Sequence, residues 1–179
     1  SVPESDRDGV GTIFGDGYHK DPETVLGVIE GLRKSNPDLP IRVFGACRRP
    51  KAIPAEIYRR LPSKEIIREI YSKSRVWFLG SCSEGFPAPI LEAMACGCAV
   101  VSTDCGGPRD MIQDGVNGFL CEVGNIKQIK EKIEVLLSNE KLRKQFVEES
   151  KKTVQKFSWD NSVDKLERVL NSIYQERVG

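Results

Sequence analysis

Two carboxylates at a fixed spacing are the residues of this chain best suited to chemistry. Glu84 and Glu92 are separated by seven residues, within the segment EGFPAPILE. Glu84 lies in a loop rich in glycine and proline, whereas Glu92 lies inside an apolar helical pattern, where a charge needs a reason. An ionised carboxylate has two acceptor oxygens, so it can bind two neighbouring hydroxyl groups, such as those of a ribose. The spacing therefore predicts a site for a hydroxyl-rich ligand.

The sequence around these carboxylates predicts the elements that position them. An apolar run at 76–79 predicts a strand before Glu84, Gly97 ends the helix that carries Glu92, and residues 98–102 predict a second, buried strand. Strand, loop, helix and strand in this order form a βαβ unit, whose crossover is right-handed in nearly all proteins. Ligands of open α/β sheets bind at the loop after such a strand, against the helix N-terminus.

Strands and helices alternate along the rest of the chain. Further strands are predicted at 10–14, 41–46, 57–61 and 118–121. The predicted helix N-caps are Asp21 (followed by Pro22), Ser63, Asn125 and Ser158. Such alternation is typical of a parallel sheet with helices on both faces. We therefore predict the α/β class, with a Rossmann-like, doubly wound parallel sheet.

The length and charge of the chain limit its organisation and its partners. We predict a flexible tail at 1–8 and one domain at 9–179 that ends in a helix over 158–177. The 27 basic and 26 acidic residues leave a net charge of +1, which gives no electrostatic case for nucleic acid or an anionic membrane as the main partner. Neither a signal peptide nor an apolar run long enough to span a bilayer is expected.

The cysteine pattern argues against a structural zinc site and against a disulfide framework. The six cysteines lack paired C-x-x-C spacing, and His19 is the single histidine. Four of the cysteines fall in or beside apolar segments, where a free thiol behaves as a small hydrophobe. We therefore expect reduced thiols in a cytoplasmic protein.

Several motifs together resemble the Glu-x7-Glu signature of the retaining, Leloir-type glycosyltransferases known as family 4. The resemblance rests on the segment 84–101, on Gly106-Gly107-Pro108 and on the segment 114–119, and it covers roughly residues 9–170. It implies the GT-B fold of two Rossmann-like domains, of which this chain is the C-terminal, donor-binding half. Acceptor binding would then lie on a missing N-terminal domain, through which peripheral membrane association stays open. The isolated domain is expected to be inactive.

The resemblance also implies roles for individual residues. It assigns the ribose hydroxyls to Glu92 and the hydroxyls of the transferred sugar to Glu84. It places Lys20 at the position of a lysine that neutralises the nucleotide diphosphate, and the amides of Gly85 and Phe86 near sugar and phosphates. The implied catalytic residues are Glu84 and Lys20. The implied donor-binding residues are Gly17, Lys20, Glu84, Gly85, Phe86, Pro87, Ala88 and Glu92.

The loop after the first predicted strand departs from the family pattern. The arginine that the family carries upstream of Lys20 is absent, and Asp16 or a neighbour takes its place. Arg48 or Arg49, after the second strand, is a candidate for the missing charge. Gly15 and Gly17 resemble a dinucleotide fingerprint, but its third glycine and its ribose-binding acid are absent, so a nicotinamide enzyme fits poorly.

These observations favour a transferase that moves a hexose from a nucleoside diphosphate sugar to a glycan or another acceptor. No cofactor and no metal are expected, since the D-x-D at residues 6–8 precedes every predicted strand. The alternative is a non-catalytic module that binds sugar nucleotides or serves assembly with the same fold. The absent arginine favours that alternative, and the retention of both glutamates favours the enzyme.

Overall fold

One parallel sheet organises the fold. The structure, a computed structural model, describes residues 3–178, without the side chains of residues 176 and 178. Within these residues six strands pair in the order β3-β2-β1-β4-β5-β6. They are β1 (Asp8–Ile13), β2 (Ile41–Gly45), β3 (Tyr58–Arg60), β4 (Ser74–Leu79), β5 (Ala99–Thr103) and β6 (Gly118–Cys121). The strand order reverses between β1 and β4, so the predicted doubly wound, Rossmann-like α/β fold is confirmed.

Helices cover both faces of this sheet. They are α1 (Pro22–Ser35), α2 (Lys64–Lys73), α3 (Ala88–Ala95), α4 (Ile126–Ser138), α5 (Glu140–Lys156) and α6 (Trp159–Val178). The apolar faces of α1 and α4 join one core with residues such as Val10, Val43 and Val76. The faces of α2 and α3 join a second core around Trp77. The strands are apolar on both sides because both sides are buried, as in other parallel sheets.

Polar side chains start the helices at the positions that the sequence predicts. The Asp21 carboxylate accepts the N–H of Thr24 at 3.1 Å, directly before Pro22. Ser63 caps α2 and Asn125 caps α4 in the same way. Each cap satisfies an N–H group that the first helical turn leaves without a partner. Asp21 itself adopts a left-handed backbone with a φ of 43°, which turns the chain sharply after Lys20.

The segment before β1 packs on the domain, in contrast to the predicted flexible tail over 1–8. Residues Glu4–Asp6 form a short 3-10 helix, and Arg7 is only 3% exposed. The Arg7 guanidinium donates to the carbonyl oxygens of Ser74 (3.1 Å) and Cys96. The Glu4 carboxylate accepts from Arg143 at 2.9 Å. The charged sequence of this segment suggested solvation, and only the fold supplies these partners. Residues 1 and 2 of the predicted tail lie outside the described residues.

The last helix differs from the others because it leaves its apolar side uncovered. Ser158 accepts the N–H of Asn161 at 3.2 Å at its start. Every side chain described for α6 is exposed, including those of Trp159, Leu166 and Leu170, the first of which is 86% exposed. Its apolar residues therefore have no core to join within the part of the chain that the structure describes. No helix between residues 3 and 178 has both the length and the apolar character to cross a membrane.

Candidate functional site

Two loops meet where the strand order reverses, at the carboxyl ends of β1 and β4. Gly17 begins a short 3-10 turn after β1, over Tyr18–Lys20. The carbonyl oxygen of His19 accepts the N–H groups of Cys82 at 2.9 Å and of Ser83 at 3.3 Å, both from the loop after β4. These bonds join two loops that lie more than sixty residues apart in the sequence. Ligands of doubly wound sheets bind in this crevice.

Lys20 and Glu84 form an ion pair in that crevice. The Lys20 Nζ lies 2.6 Å from Glu84 Oε1, and their side chains are 28% and 11% exposed. The Ser81 hydroxyl donates to the same Oε1 at 2.7 Å. Glu84 Oε2 has no partner among the residues that the structure describes. The structure thus brings together the two predicted catalytic residues and leaves one carboxylate oxygen available.

The loop between Glu84 and α3 offers two main-chain donors. The N–H groups of Gly85 and Phe86 have no acceptor within residues 3–178. Pro87 has no N–H, and the N–H of Ala88 is bonded to the carbonyl oxygen of Phe86 at 2.9 Å. Pro87 and Ala88, which the resemblance places in the donor site, therefore contribute no free N–H there. An anion at this helix start would be bound chiefly through Gly85 and Phe86.

Phe86 lies at the exposed tip of this loop and not in the core. Its side chain is 62% exposed, and its ring centroid lies 6.0 Å from that of Phe157, just before α6. The ring therefore remains accessible to a ligand beside Glu84, which a core anchor would not be.

The Gly106-Gly107 loop supports the Glu84 loop through its main chain. The N–H of Gly107 donates to the carbonyl oxygen of Glu84 at 2.7 Å. A Cβ at Gly107 would lie only 2.1 Å from the carbonyl oxygen of Gly85 and 2.9 Å from that of Glu84. Gly106 has a φ of 108°, a backbone conformation that residues other than glycine rarely adopt. The two main chains can approach this closely only because both positions are glycine.

We expect Gly107→Ala to displace the Glu84 loop and to lower the affinity for its ligand by at least about tenfold. The reason is that the new methyl group meets main chain, which cannot move aside as a flexible side chain can. Calorimetry on the folded variant measures the effect. Gly31→Ala is the matched control, because its Cβ would meet only the flexible end of Lys130. Unchanged affinity in Gly107→Ala would contradict the supporting role of this loop.

Glu92 lies on α3 beside α2, where a tyrosine holds it. The Tyr71 hydroxyl donates to Glu92 Oε2 at 2.8 Å, and Oε1 has no partner among the described residues. The Tyr71 ring is 2% exposed and packs against Trp77 and Phe44, with centroids 4.4 Å and 5.9 Å away. Burial, together with the Glu92 charge, raises the pKa of Tyr71 far above its usual value, so the phenol keeps its proton. Sequence reasoning missed Tyr71, and no local signal pointed to it.

The two arginines considered as replacements for the absent family arginine differ in availability. Arg49 donates to carbonyl oxygens of its own loop, those of Pro50 and Ile53. Arg48 is exposed and has no partner among the described residues. Arg60, which sequence reasoning did not consider, ends β3 at the same edge of the sheet, beside Gly45. Arg48, in the loop after β2, and Arg60, at the end of β3, are therefore candidate cations at the carboxyl ends of the strands, where the exposed Asp16 follows β1.

The D-x-D sequence at residues 6–8 lies at the amino ends of the strands, whereas this site lies at their carboxyl ends. Asp8 pairs with Arg42 at 2.5 Å, at the amino end of β1. Between residues 3 and 178 the structure contains no group of three or more His, Cys, Asp or Glu side chains arranged to hold a metal ion.

Comparison with known proteins places this site in a family context. The model of the family described as glycosyl transferases group 1 matches residues 16–153, which include both glutamates and Lys20. An uncharacterized glycosyltransferase of Methanocaldococcus jannaschii is 41% identical over 93 residues, which are 52% of this chain and 26% of that protein. The chain matches between 22% and 47% of the length of the first three curated relatives.

Solved structures share the fold at low sequence identity. A mutant of TarM from S. aureus, in complex with Fondaparinux, alpha-GlcNAc-glycerol and UDP, superposes with a TM-score of 0.79 and 22% identity over 96% of this chain and 37% of that one. The C-terminal domain of a glycosyl transferase group 1 family protein (LpcC) from Francisella tularensis gives a TM-score of 0.67 and 24% identity. That match covers 86% of this chain and 89% of the other. The Rossmann-like sheet is thus the one found in GT-B structures.

Proposed function

This chain belongs to the glycosyl transferases group 1 family, and on that premise we propose that it is the donor-binding domain of a retaining, family 4 glycosyltransferase. The enzyme would transfer a hexose from a nucleoside diphosphate sugar to a glycan or another acceptor. The observation that carries the proposal is the pairing of Lys20 with Glu84 in the crevice between β1 and β4, with one oxygen of Glu84 left without a partner among the described residues.

The arrangement of charges suits the departure of a diphosphate. Bond cleavage places negative charge on the diphosphate and positive character on the sugar. Lys20 has three N–H donors, of which one is used by Glu84, so the others can bind the phosphates. The amides of Gly85 and Phe86 would add two fixed donors. Such groups, oriented before the reaction, are the kind of stabilisation that contributes most in many enzymes.

The carboxylates would bind the neutral parts of the donor. Oε1 of Glu92 and Oε2 of Glu84 have no partner among the described residues. The first is suited to the ribose hydroxyls and the second to hydroxyls of the transferred sugar. A paired general acid and base of the glycosidase type is not required, because the diphosphate is a good leaving group. Protein cations and amides would neutralise the phosphates, so we infer that no metal and no other cofactor takes part.

The exposed apolar side of α6 is evidence for a partner domain that would cover it. Without such a domain, water would surround apolar side chains that include Val163, Leu166 and Leu170, which is unfavourable in free energy. We assign this side to an N-terminal, acceptor-binding domain, through which the whole enzyme could also reach a membrane surface. Transfer would then need both domains, and the chain alone would bind the donor without transferring it. The six unpaired cysteines support a cytoplasmic location.

A non-catalytic module is the second candidate function, and two features of the donor loops favour it. The family arginine before Lys20 is absent, and Pro87 and Ala88 offer no free N–H to an anion. Such a module would bind a sugar nucleotide and would not catalyse its transfer or hydrolysis when supplied with the partner domain. Activity of the two-domain protein therefore separates the two candidates.

A binding screen tests the proposal on this chain. UDP-, GDP-, ADP- and dTDP-sugars are compared by calorimetry, each with and without EDTA. We expect one base to be preferred and its affinity to be unchanged by EDTA. Binding that disappears with the chelator would contradict the metal-free assignment, and the absence of binding by all four would contradict the donor-binding function.

A further inference from the structure

Each signature carboxylate has one oxygen that accepts from a neutral hydroxyl of the fold and one oxygen without a partner among the described residues. For Glu84 the hydroxyl is that of Ser81, at 2.7 Å from Oε1. For Glu92 it is that of Tyr71, at 2.8 Å from Oε2. The opposite oxygens of both carboxylates have no partner within the part of the chain that the structure describes. Neither hydroxyl belongs to the Glu-x7-Glu segment.

We propose that Ser81 and Tyr71 are positioning residues of the donor site. Each hydroxyl would fix one carboxylate oxygen and thereby direct the other toward a donor hydroxyl, the sugar at Glu84 and the ribose at Glu92. This inference rests on the proposed function, since it names the residues that orient the same site.

Ser81 is rigid enough for this role. It is 1% exposed, and its carbonyl oxygen accepts from the buried hydroxyl of Thr103 on β5. Its main chain is therefore tied to the neighbouring strand. Lys20 also holds Glu84 Oε1, but its long, partly exposed side chain is expected to turn toward the phosphates when a donor binds. Ser81 would then be the contact that keeps the carboxylate in place.

Tyr71 is held in a different way. Its ring is enclosed by Trp77 and Phe44 and by the apolar residues of the same core, so the hydroxyl can move little. Burial and the Glu92 charge raise the pKa of Tyr71, so the hydroxyl keeps its hydrogen for Glu92 around neutral pH. A flexible donor would lose conformational entropy on holding Glu92, and this preordered ring avoids that cost.

Ligands that differ by one part measure the two roles separately. Ser81→Ala should lower the affinity for a nucleoside diphosphate sugar by about tenfold. It should change the affinity for the nucleoside diphosphate little, because only the sugar uses Glu84 Oε2. Tyr71→Phe should weaken the ribonucleoside diphosphate by about tenfold, and it should leave the 2′,3′-dideoxy analogue unaffected. Calorimetry on the folded chain, with the base that the screen selects, gives all four affinities.

Two further variants exclude a general loss of structure. Ser81→Cys keeps nearly the same volume with a weak donor, so it should repeat the loss of sugar affinity without a fall in melting temperature. Ser102→Ala removes a buried hydroxyl that donates to the carbonyl oxygen of Thr103. It should change neither the ratio of the affinities for sugar nucleotide and diphosphate nor the ratio for the ribo and dideoxy compounds.

The outcomes distinguish this inference from the proposed function. Ligand-selective losses in Ser81→Ala and Tyr71→Phe support it. Equal losses of affinity for every ligand, or unchanged affinities in folded variants, would overturn the positioning roles. If the wild-type chain still binds the nucleotide, the proposed donor site would stand. A wild-type chain that binds no nucleotide would overturn both.

Discussion

Replacing Glu92 with alanine is expected to lower the affinity for ribonucleotides by roughly ten- to a hundredfold. The change removes the charge-assisted hydrogen bonding of Oε1 to the ribose, and one such bond of about 1.5–3 kcal/mol corresponds to a loss of this size. The structure strengthens this expectation, because Tyr71 holds Oε2 and leaves Oε1 for the ligand. Calorimetry with a nucleoside and with its diphosphate should give similar losses, since both contain the ribose.

Two controls accompany the Glu92 variant. Glu92→Gln keeps an acceptor for Tyr71 and removes the charge, so its affinity should lie between those of the wild type and the alanine variant. Glu131→Ala removes an exposed helical glutamate on α4, in the opposite helix layer, and should have no effect. Unchanged affinity in a folded Glu92→Ala variant would make Glu92 an ordinary surface residue.

Replacing Lys20 with alanine should weaken nucleoside diphosphate binding by about 1–3 kcal/mol and leave the free nucleoside almost unaffected. The reason is that the ammonium group would contact the phosphates and not the ribose. Because the interaction is partly Coulombic, the difference between wild type and variant should shrink as salt rises. Titrations at two salt concentrations, with nucleoside and diphosphate, measure both effects.

The ion pair with Glu84 makes the Lys20 variant more informative. Without Lys20, the Glu84 carboxylate keeps only the Ser81 hydroxyl as a partner among the described residues. A double-mutant cycle with Glu84→Gln therefore separates the phosphate contact from the support that Lys20 gives to Glu84. Lys34→Ala, which removes an exposed lysine paired with Glu30, is the matched control. Equal losses for nucleoside and diphosphate would mean that Lys20 supports the loop, and the phosphate contact would then fall to Arg48 or Arg60.

The sequence by itself determined the features that local rules govern. The caps at Asp21, Ser63 and Asn125 were predictable because a side chain there bonds an N–H only three residues ahead. The parallel sheet followed from apolar runs that alternate with amphipathic helices. Glu84 and Glu92 were identifiable because their spacing sets a loop position and a helix position within one βαβ unit.

Contacts between distant segments were decided only by the tertiary structure. The charged residues around Arg7 predicted a solvated tail. Its partners are the carbonyl oxygens of Ser74, at the start of β4, and of Cys96, at the end of α3, and only the folded chain places them beside it. Ser81, three residues before Glu84, was within reach of local reasoning, whereas Tyr71 meets Glu92 only because α2 and α3 cover the same face. A hydrogen bond depends on where two chain segments lie in space, and sequence periodicity specifies only the face on which a side chain lies.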